Sequence, residues 1–342
     1  MMGLPRAALV VQRVRHHAGA SGYHQLAKYL VAGGTAAEVT HHFPRRGTWR
    51  LAQPFVRRSN LAWYGAEAFL TEIWSAAAAW RGGIVHFLYG ENSYRYAAAV
   101  PAWHRRLVAT FHLPPAIFGD YVGTTHHLER LDAIVLVASN QLPILDRLRC
   151  RPAVYVVPHG VDIGFYAPPA TLATRPTCLF VGQWLRDFIT LQEVVRQVHQ
   201  AMPQARFRLV LPSKLVAEWQ GRPGVEVLTE LSDLDLRLCY QEAALLVMPL
   251  RECTANNVIL EAMACGLPIV ASEVGGICDY VNRDCARLVR AGKPGAMAEA
   301  VLDLIQDPAA RTAMGQAARA HAETFAWPRV AKQILSVYEE LG

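Results

Sequence analysis

Glu261 stands inside an apolar segment, ECTANNVILEAMACGLPIVAS (residues 252–272), shortly after the paired amides Asn256 and Asn257. The apolar run Ala244–Leu250 predicts a strand, and Asn256, a good N-cap residue, predicts where the next helix opens. Asn257 and Glu261 are four apart and so share one helix face. A helix N-terminus at the carboxyl end of a parallel strand presents free N–H groups, which suit a phosphate. A carboxylate one turn deeper is placed to accept two hydrogen bonds from ribose hydroxyls. The alternative is an ordinarily capped helix around a buried, paired glutamate.

Other residues could join such a site. In FVGQWLRDFITL (180–191), Gly182 ends a strand and Arg186 opens the following turn, so a fixed guanidinium can face a diphosphate. A solvated loop arginine is the alternative. In HHAGASGYHQLAKYL (16–30), Gly19 and Gly22 lie between a strand and a helix; this is not GxGxxG, and alone it is a plain turn. His112 ends a strand in LVATFHLPP and is expected to face an interdomain cleft, and His86 with Glu91 in GIVHFLYGEN form a lesser candidate.

Three features are open to other readings. Asp233-Leu-Asp235 imitates a metal-binding Asp-x-Asp, but it follows Ser232 at a predicted helix start, where acids favour the dipole. His126-His127-x-Glu129 could ligate a metal, yet His16-His17 and His41-His42 are also paired, and a solvated face is the simpler reading. The stretch HHFPRRGTWRLAQPFVRRSNLAWY (41–64) mixes Arg45, Arg46, Arg50, Arg57 and Arg58 with Phe43, Trp49, Phe55, Trp63 and Tyr64. That mixture suits a membrane surface or an anionic acceptor, or else a solvated basic loop. No nucleic-acid module accompanies it.

The elements that must position these residues are legible in outline. Short apolar runs alternate with helical patterns: Ala7–Gln12, Ala37–His41, Ile84–Leu88, Leu107–Phe111, Ala133–Val137 and Ala153–Val157, then Thr177–Gly182, Arg206–Leu211, Val225–Leu228, Ala244–Leu250 and Leu267–Ser272. Uniformly apolar strands separated by helices, such as Leu191–Met202 and Ser232–Ala243, imply parallel sheets covered on both faces. At 342 residues, with 52% hydrophobic and 18% charged, the chain suffices for two packed α/β domains and is not a disordered one. The boundary is expected in the Pro/Gly-rich stretch 158–176. Charge divides likewise: residues 1–160 hold 17 Lys/Arg against 8 Asp/Glu, and residues 161–342 hold 17 against 20, so the halves should meet different partners. No run approaches the ~18 apolar residues of a membrane span. The start reads as a first buried strand closed by Gln12 and Arg13 rather than a signal peptide, and seven scattered cysteines without CxxC suit a reducing cytoplasm.

Several ordered motifs share one resemblance. The segment around Glu261 resembles the donor motif of family-4 retaining glycosyltransferases (glycosyl transferases group 1, GT-B fold): Glu, seven residues, Glu, Ala-Met-Ala-Cys-Gly-x-Pro. VGGICDYV (274–281) is similar to the Gly-Gly loop that follows, with Asp279 for Glu. VPHGVDIGFYAP (157–168) resembles the interdomain segment, with His159 for Asn, and FAWPRVAKQILSVYEEL (325–341) resembles the terminal helix. Against the family's Gly-Arg, loop, Lys-Gly, Gln183 stands for Arg and Arg186 for Lys in a loop two residues shorter. Counting back eight from Glu261, the family's first glutamate falls on Cys253, one place after Glu252.

The resemblance implies two doubly wound Rossmann-like domains facing a cleft (α/β), residues 1–160 for the acceptor and 161–325 for the nucleotide sugar. Residues 326–342 would form a helix crossing back to the first domain. It implies transfer from a UDP- or GDP-sugar to a lipid, polysaccharide or small-molecule acceptor with retention of configuration, by front-face attack, without a metal or further cofactor. Gly19, Gly22, Gly182, Gln183, Arg186, Cys253, Thr254, Asn256, Asn257 and Glu261 would hold the donor, with His112, Arg186 and Glu261 catalytic. Arg45, Arg46, Arg57 and Arg58 would meet the acceptor or an anionic membrane surface. The expected place is the cytoplasm, with a peripheral site on the inner membrane face as an option. A sugar-nucleotide epimerase on the same fold, or a binding-only nucleotide-sugar protein, are the alternatives.

Overall fold

The computed structural model describes residues 7–11, 19–34, 36–39, 46–79, 82–100, 104–170 and 176–342. By its contacts the chain divides into two compact units, one of Met1–His17, Gly22–His159 and Trp327–Gly342, the other of Ala18–Ser21 and Gly160–Ala326.

The first unit is built on six parallel strands: β1 (Ala7–Val10), β2 (Ala36–Val39), β3 (Gly83–Phe87), β4 (Arg105–Phe111), β5 (Ala133–Leu136) and β6 (Ala153–Val156). Their order is β2-β1-β3-β4-β5-β6. The central strands are buried because their apolar side chains pack on both sheet faces, with Val85, Phe87, Ala109, Phe111 and Ile134 in one core beside Phe118 and Val122. The last helix, Trp327–Leu341, belongs to this unit. Its buried residues Trp327, Val330, Ala331, Ile334, Val337 and Tyr338 recur at three and four, the stripe of a helix lying on a sheet. The larger of these side chains contribute roughly 1.5–3 kcal/mol each by burial. Tyr338 OH adds a 2.6 Å hydrogen bond to His86 Nδ1.

The second unit holds β7 (Thr177–Val181), β8 (Arg206–Val210), β9 (Val225–Leu228), β10 (Leu245–Met248), β11 (Ile269–Glu273) and β12 (Ala286–Arg290), ordered β12-β11-β10-β7-β8-β9 and all parallel. The order reverses between β7 and β10. At such a switch point the loops leaving neighbouring carboxyl ends diverge and leave a crevice, where ligands of doubly wound sheets bind.

Two features differ from the sequence reading. β12 is an additional edge strand, ARLVR, whose two arginines hide its apolar character. The basic stretch is not a loop: Arg46–Ser59 is a helix, although it contains Pro54, which has no N–H to donate to the carbonyl four residues earlier. Arg45 lies outside the described residues.

Candidate functional site

The switch point of the second sheet assembles most of the residues singled out in its half of the sequence. After β7 the chain turns at Gly182, whose φ of +88° lies in the left-handed region, and a Cβ there would stand 3.3 Å from Arg186 Nη2. Glycine therefore serves both the turn and the room the guanidinium occupies. Arg186 Nε donates to the Val181 carbonyl and Nη1 to the Trp184 carbonyl, each at 3.1 Å. The loop is sewn to the one after β10: Asp187 N donates to Pro249 O at 2.9 Å, Arg251 N to Leu185 O at 3.0 Å, and Arg251 Nε to Arg186 O at 3.0 Å. Arg186 is only 7% exposed, and no described carboxylate forms an ion pair with it. Burial lowers its pKa to about 10, opposed by Tyr240 and Cys253, so it stays charged at neutral pH. A buried cation held by neutral carbonyls is poised for an anion. Gln183, on the same loop, is exposed.

The second loop leads into the helix Asn257–Ala264, and Asn256 is its N-cap, accepting from Ile259 N at 3.4 Å. Cys253 is buried and its thiol donates to the Thr254 carbonyl at 3.1 Å. Burial pushes that thiol up to about 12, so it is neutral. The neighbouring carboxylate of Glu252 turns back on its own loop, with Oε1 accepting from Cys253 N at 2.9 Å.

Glu261 lies one turn inside the helix and is 4% exposed. Its Oε1 accepts from Ser21 Oγ at 2.5 Å and its Oε2 from Tyr240 OH at 2.8 Å. Ser21 Oγ in turn accepts from Asn257 Nδ2 at 3.3 Å. Burial raises the carboxyl to about 7, with the hydroxyls of Ser21, Tyr240 and Tyr166 holding it down and Asp233 pushing it up. The segment carrying Ser21 is fixed by a second acid, since Ala20 N donates to Asp233 Oδ2 at 2.9 Å. Gly19 adjoins the same carboxylate, where a Cβ would come within 3.2 Å.

In the first unit, His112 follows the carboxyl end of β4. Its backbone N–H and that of Leu113 donate to Glu91 Oε1, the latter at 2.9 Å, and its Nδ1 lies 3.4 Å from Glu91 Oε2. Tyr89 stacks on the ring at 4.9 Å and 30°, and Tyr23 meets it edge-on at 4.8 Å. Gly22 caps the short 3-10 helix Tyr23–Gln25 that begins there. His86 is a core group: Nδ1 is 2.6 Å from Tyr338 OH and Nε2 is 2.7 Å from Thr110 Oγ1, and burial lowers its pKa to about 3. His159 is buried against Trp327, with ring centroids 5.1 Å apart.

Residues 175–307 match the family model of the glycosyl transferases group 1. That part of the chain is a group 1 glycosyl transferases domain. It is 30% identical over 263 residues to the D-inositol 3-phosphate glycosyltransferase of Kineococcus radiotolerans, covering 66% of this chain and 60% of that one. With the enzyme of the same name from Xylanimonas cellulosilytica it shares 29% over 297 residues, 78% of this chain and 68% of the other. The chain thus spans less than two thirds of the length of the Kineococcus relative. In fold it is similar to sucrose-phosphate synthase from Thermosynechococcus elongatus, with a TM-score of 0.72 at 20% identity over 98% of this chain and 99% of that one. Anabaena HepE in complex with UDP gives 0.68 at 14% identity, over 98% and 100%. These likenesses are of architecture, and they establish the two Rossmann-like domains of the GT-B fold.

The group 1 domain thus contains Gly182, Gln183, Arg186, Cys253, Thr254, Asn256, Asn257 and Glu261. Two participants, Ser21 and Tyr240, escaped the sequence reading, and Asp233 was read only as an acid at a helix start. Ser21 lay between the two glycines singled out as a loop, and only its hydroxyl distinguished it. Asp233 and Asp235 do different things in the structure. Asp233 holds Ala20, whereas Asp235 accepts from Ser232 Oγ at 2.6 Å at the start of the helix Asp233–Glu242. His127 is buried with its carbonyl accepting from Tyr94 OH, and His126 pairs with Glu129 at 3.7 Å. Among the described residues no His/Cys/Asp/Glu group of three or more could hold a metal ion, and no helix is long and apolar enough to cross a membrane.

Proposed function

We propose that this protein transfers a sugar from a UDP- or GDP-sugar to an acceptor, with retention of configuration. The observation that carries the reading is Arg186: a buried guanidinium without an ion-paired carboxylate among the described residues, on a loop at the switch point that is hydrogen-bonded to the loop leading into the helix Asn257–Ala264. A nucleotide diphosphate supplies the charge this arrangement lacks. In the transition state the anomeric carbon becomes oxocarbenium-like and negative charge grows on the leaving diphosphate. Arg186 and the helix N–H groups are already in place there, so stabilising that charge requires little reorganisation. Glu261 would take ribose hydroxyls, and His112 would lie against the transferred sugar.

HepE, a likeness in fold, is described in complex with UDP and glucose, and this supports testing UDP-sugars first. The relatives' names favour transfer over epimerisation. The experiment is a panel of labelled UDP- and GDP-sugars with purified protein, following free nucleotide and labelled product. Nucleotide released together with a glycosylated acceptor is expected. An epimerised sugar nucleotide in the absence of acceptor, or binding without release under all conditions, would overturn the proposal.

A second reading concerns the acceptor side. The helix Arg46–Ser59 holds four arginines and no acid. Arg50, Arg57 and Arg58 are exposed together with Leu51 (75%), Trp49 and Phe55. Exposed apolar residues flanking a basic helix face support contact with an anionic lipid surface, and hence a lipid-borne acceptor.

A further inference from the structure

Glu91 grips His112 twice. It sits in the short helix Gly90–Ser93 after β3 and is 3% exposed. One oxygen, Oε1, accepts the backbone N–H groups of His112 and Leu113, and the other, Oε2, is 3.4 Å from Nδ1 of the same histidine. The approach depends on Gly90, where a Cβ would come within 2.7 Å of the Phe111 ring at the end of β4. Burial would raise the Glu91 carboxyl, but the charge of His112 and its hydrogen bonds outweigh this and hold it below the ordinary carboxylate range. The other titratable groups against the ring are Tyr89, stacked on its face, and Tyr23, at its edge; burial raises both phenols, so both stay protonated at neutral pH. His86 lies behind and is buried in its neutral form.

We propose that Glu91 is a positioning residue for His112: its carboxylate takes the Nδ1–H, fixes the ring plane between Tyr89 and Tyr23, and makes Nε2 the lone-pair nitrogen. In a neutral imidazole one nitrogen donates and the other accepts, so the group paired with Nδ1 sets the chemistry of Nε2. This rests on the reading that His112 lies against the transferred sugar. Backbone anchoring by Oε1 and ring orientation by Oε2 are separable. Glu91→Gln keeps an acceptor oxygen for the backbone and removes the charge that holds the ring.

The test is the tautomer of His112, read by imidazole NMR in the full chain, with the resonance assigned through His112→Gln. In the native protein the neutral ring should carry its proton on Nδ1. In Glu91→Gln the Nδ1–H tautomer should lose its dominance. With donor and acceptor in hand, Glu91→Gln should lower kcat about tenfold or more with little change in donor KM. Glu91→Asp should recover part of both readouts. A His112 tautomer unchanged in folded Glu91→Gln overturns the proposal. If Glu91→Gln unfolds, the native protein decides: a neutral His112 ring that carries its proton on Nε2 overturns it equally. Full activity in His112→Gln overturns instead the reading of His112 itself, leaving the NMR result to stand alone.

Discussion

Ser21 Oγ donates to Oε1 of Glu261 at 2.5 Å, so a hydroxyl of the chain itself occupies the carboxylate assigned to a ribose hydroxyl. Tyr240 OH takes Oε2 at 2.8 Å. A diol that binds Glu261 must therefore share these lone pairs or displace the serine. Ser21→Ala is expected to tighten nucleotide binding by roughly 0.5–1.5 kcal/mol, the net worth of one hydrogen bond. Calorimetry with UDP and GDP measures it, and a weaker affinity in the variant would mean that Ser21 helps to hold the ligand.

Stability against pH gives a second expectation. The folded-state pKa of Glu261 is raised to about 7 by burial, from 4.5. Between those values the folded state binds more protons than the unfolded one, so this group's contribution to stability falls as pH rises from about 4.5 to about 7. Glu72, likewise buried and raised to about 7, acts in the same direction. His86 and His127, both lowered to about 3 by burial, act oppositely, losing stability as pH falls below 6.5. Glu261→Gln isolates one contribution: relative to the native protein it should gain about 2–3 kcal/mol between pH 4.5 and 8. Denaturant unfolding at both pH values checks this, and an equal difference at the two would contradict it.

Arg186→Lys keeps the charge but not the fork that two carbonyls hold at 3.1 Å. Affinity for a nucleoside diphosphate should fall by about 1.5–3 kcal/mol, while affinity for the corresponding nucleoside should not change. Equal losses for both ligands would place Arg186 away from the diphosphate.

The basic helix Arg46–Ser59 should bring the protein to anionic vesicles and not to neutral ones. Replacing Arg50, Arg57 and Arg58 with Gln should cost about 1 kcal/mol each at low salt, with the native binding weakening as salt rises. Sedimentation with phosphatidylserine-containing and pure phosphatidylcholine vesicles measures it. Equal sedimentation with both would remove the membrane reading and leave the anionic acceptor.

Much of the scaffold is written locally in the sequence. Short apolar runs such as CLFV and LLVM suit central parallel strands, because their side chains need cover on both faces. Asn256 marks its helix start because a short side-chain oxygen can satisfy an N–H of the first turn. Gly182 marks the turn because few other residues adopt its φ. These are properties of a residue and its near neighbours, which is why spacing reveals them. β12 is weakly written, since an edge strand needs only one apolar face and keeps its arginines. The helix Arg46–Ser59 does carry a helical period, with Trp49, Ala52, Phe55 and Val56 recurring at three and four, but its four arginines and Pro54 read as a basic loop.

The site's electrostatics were decided by the tertiary structure. Ser21 and Glu261 are 240 positions apart, His86 and Tyr338 252, and Ala20 and Asp233 213. No local pattern encodes such pairs, because a serine or an aspartate looks the same whether its oxygen meets water or a buried partner. The sequence determined that Glu261 would be buried and that Arg186 would stand at a strand end. Folding determined that the carboxylate is held by hydroxyls, near neutrality in charge, while the guanidinium is held by carbonyls and keeps its own. The physical reason is desolvation: once water is excluded, the few groups brought within hydrogen-bond reach set whether a charge persists, and chain topology chooses those groups.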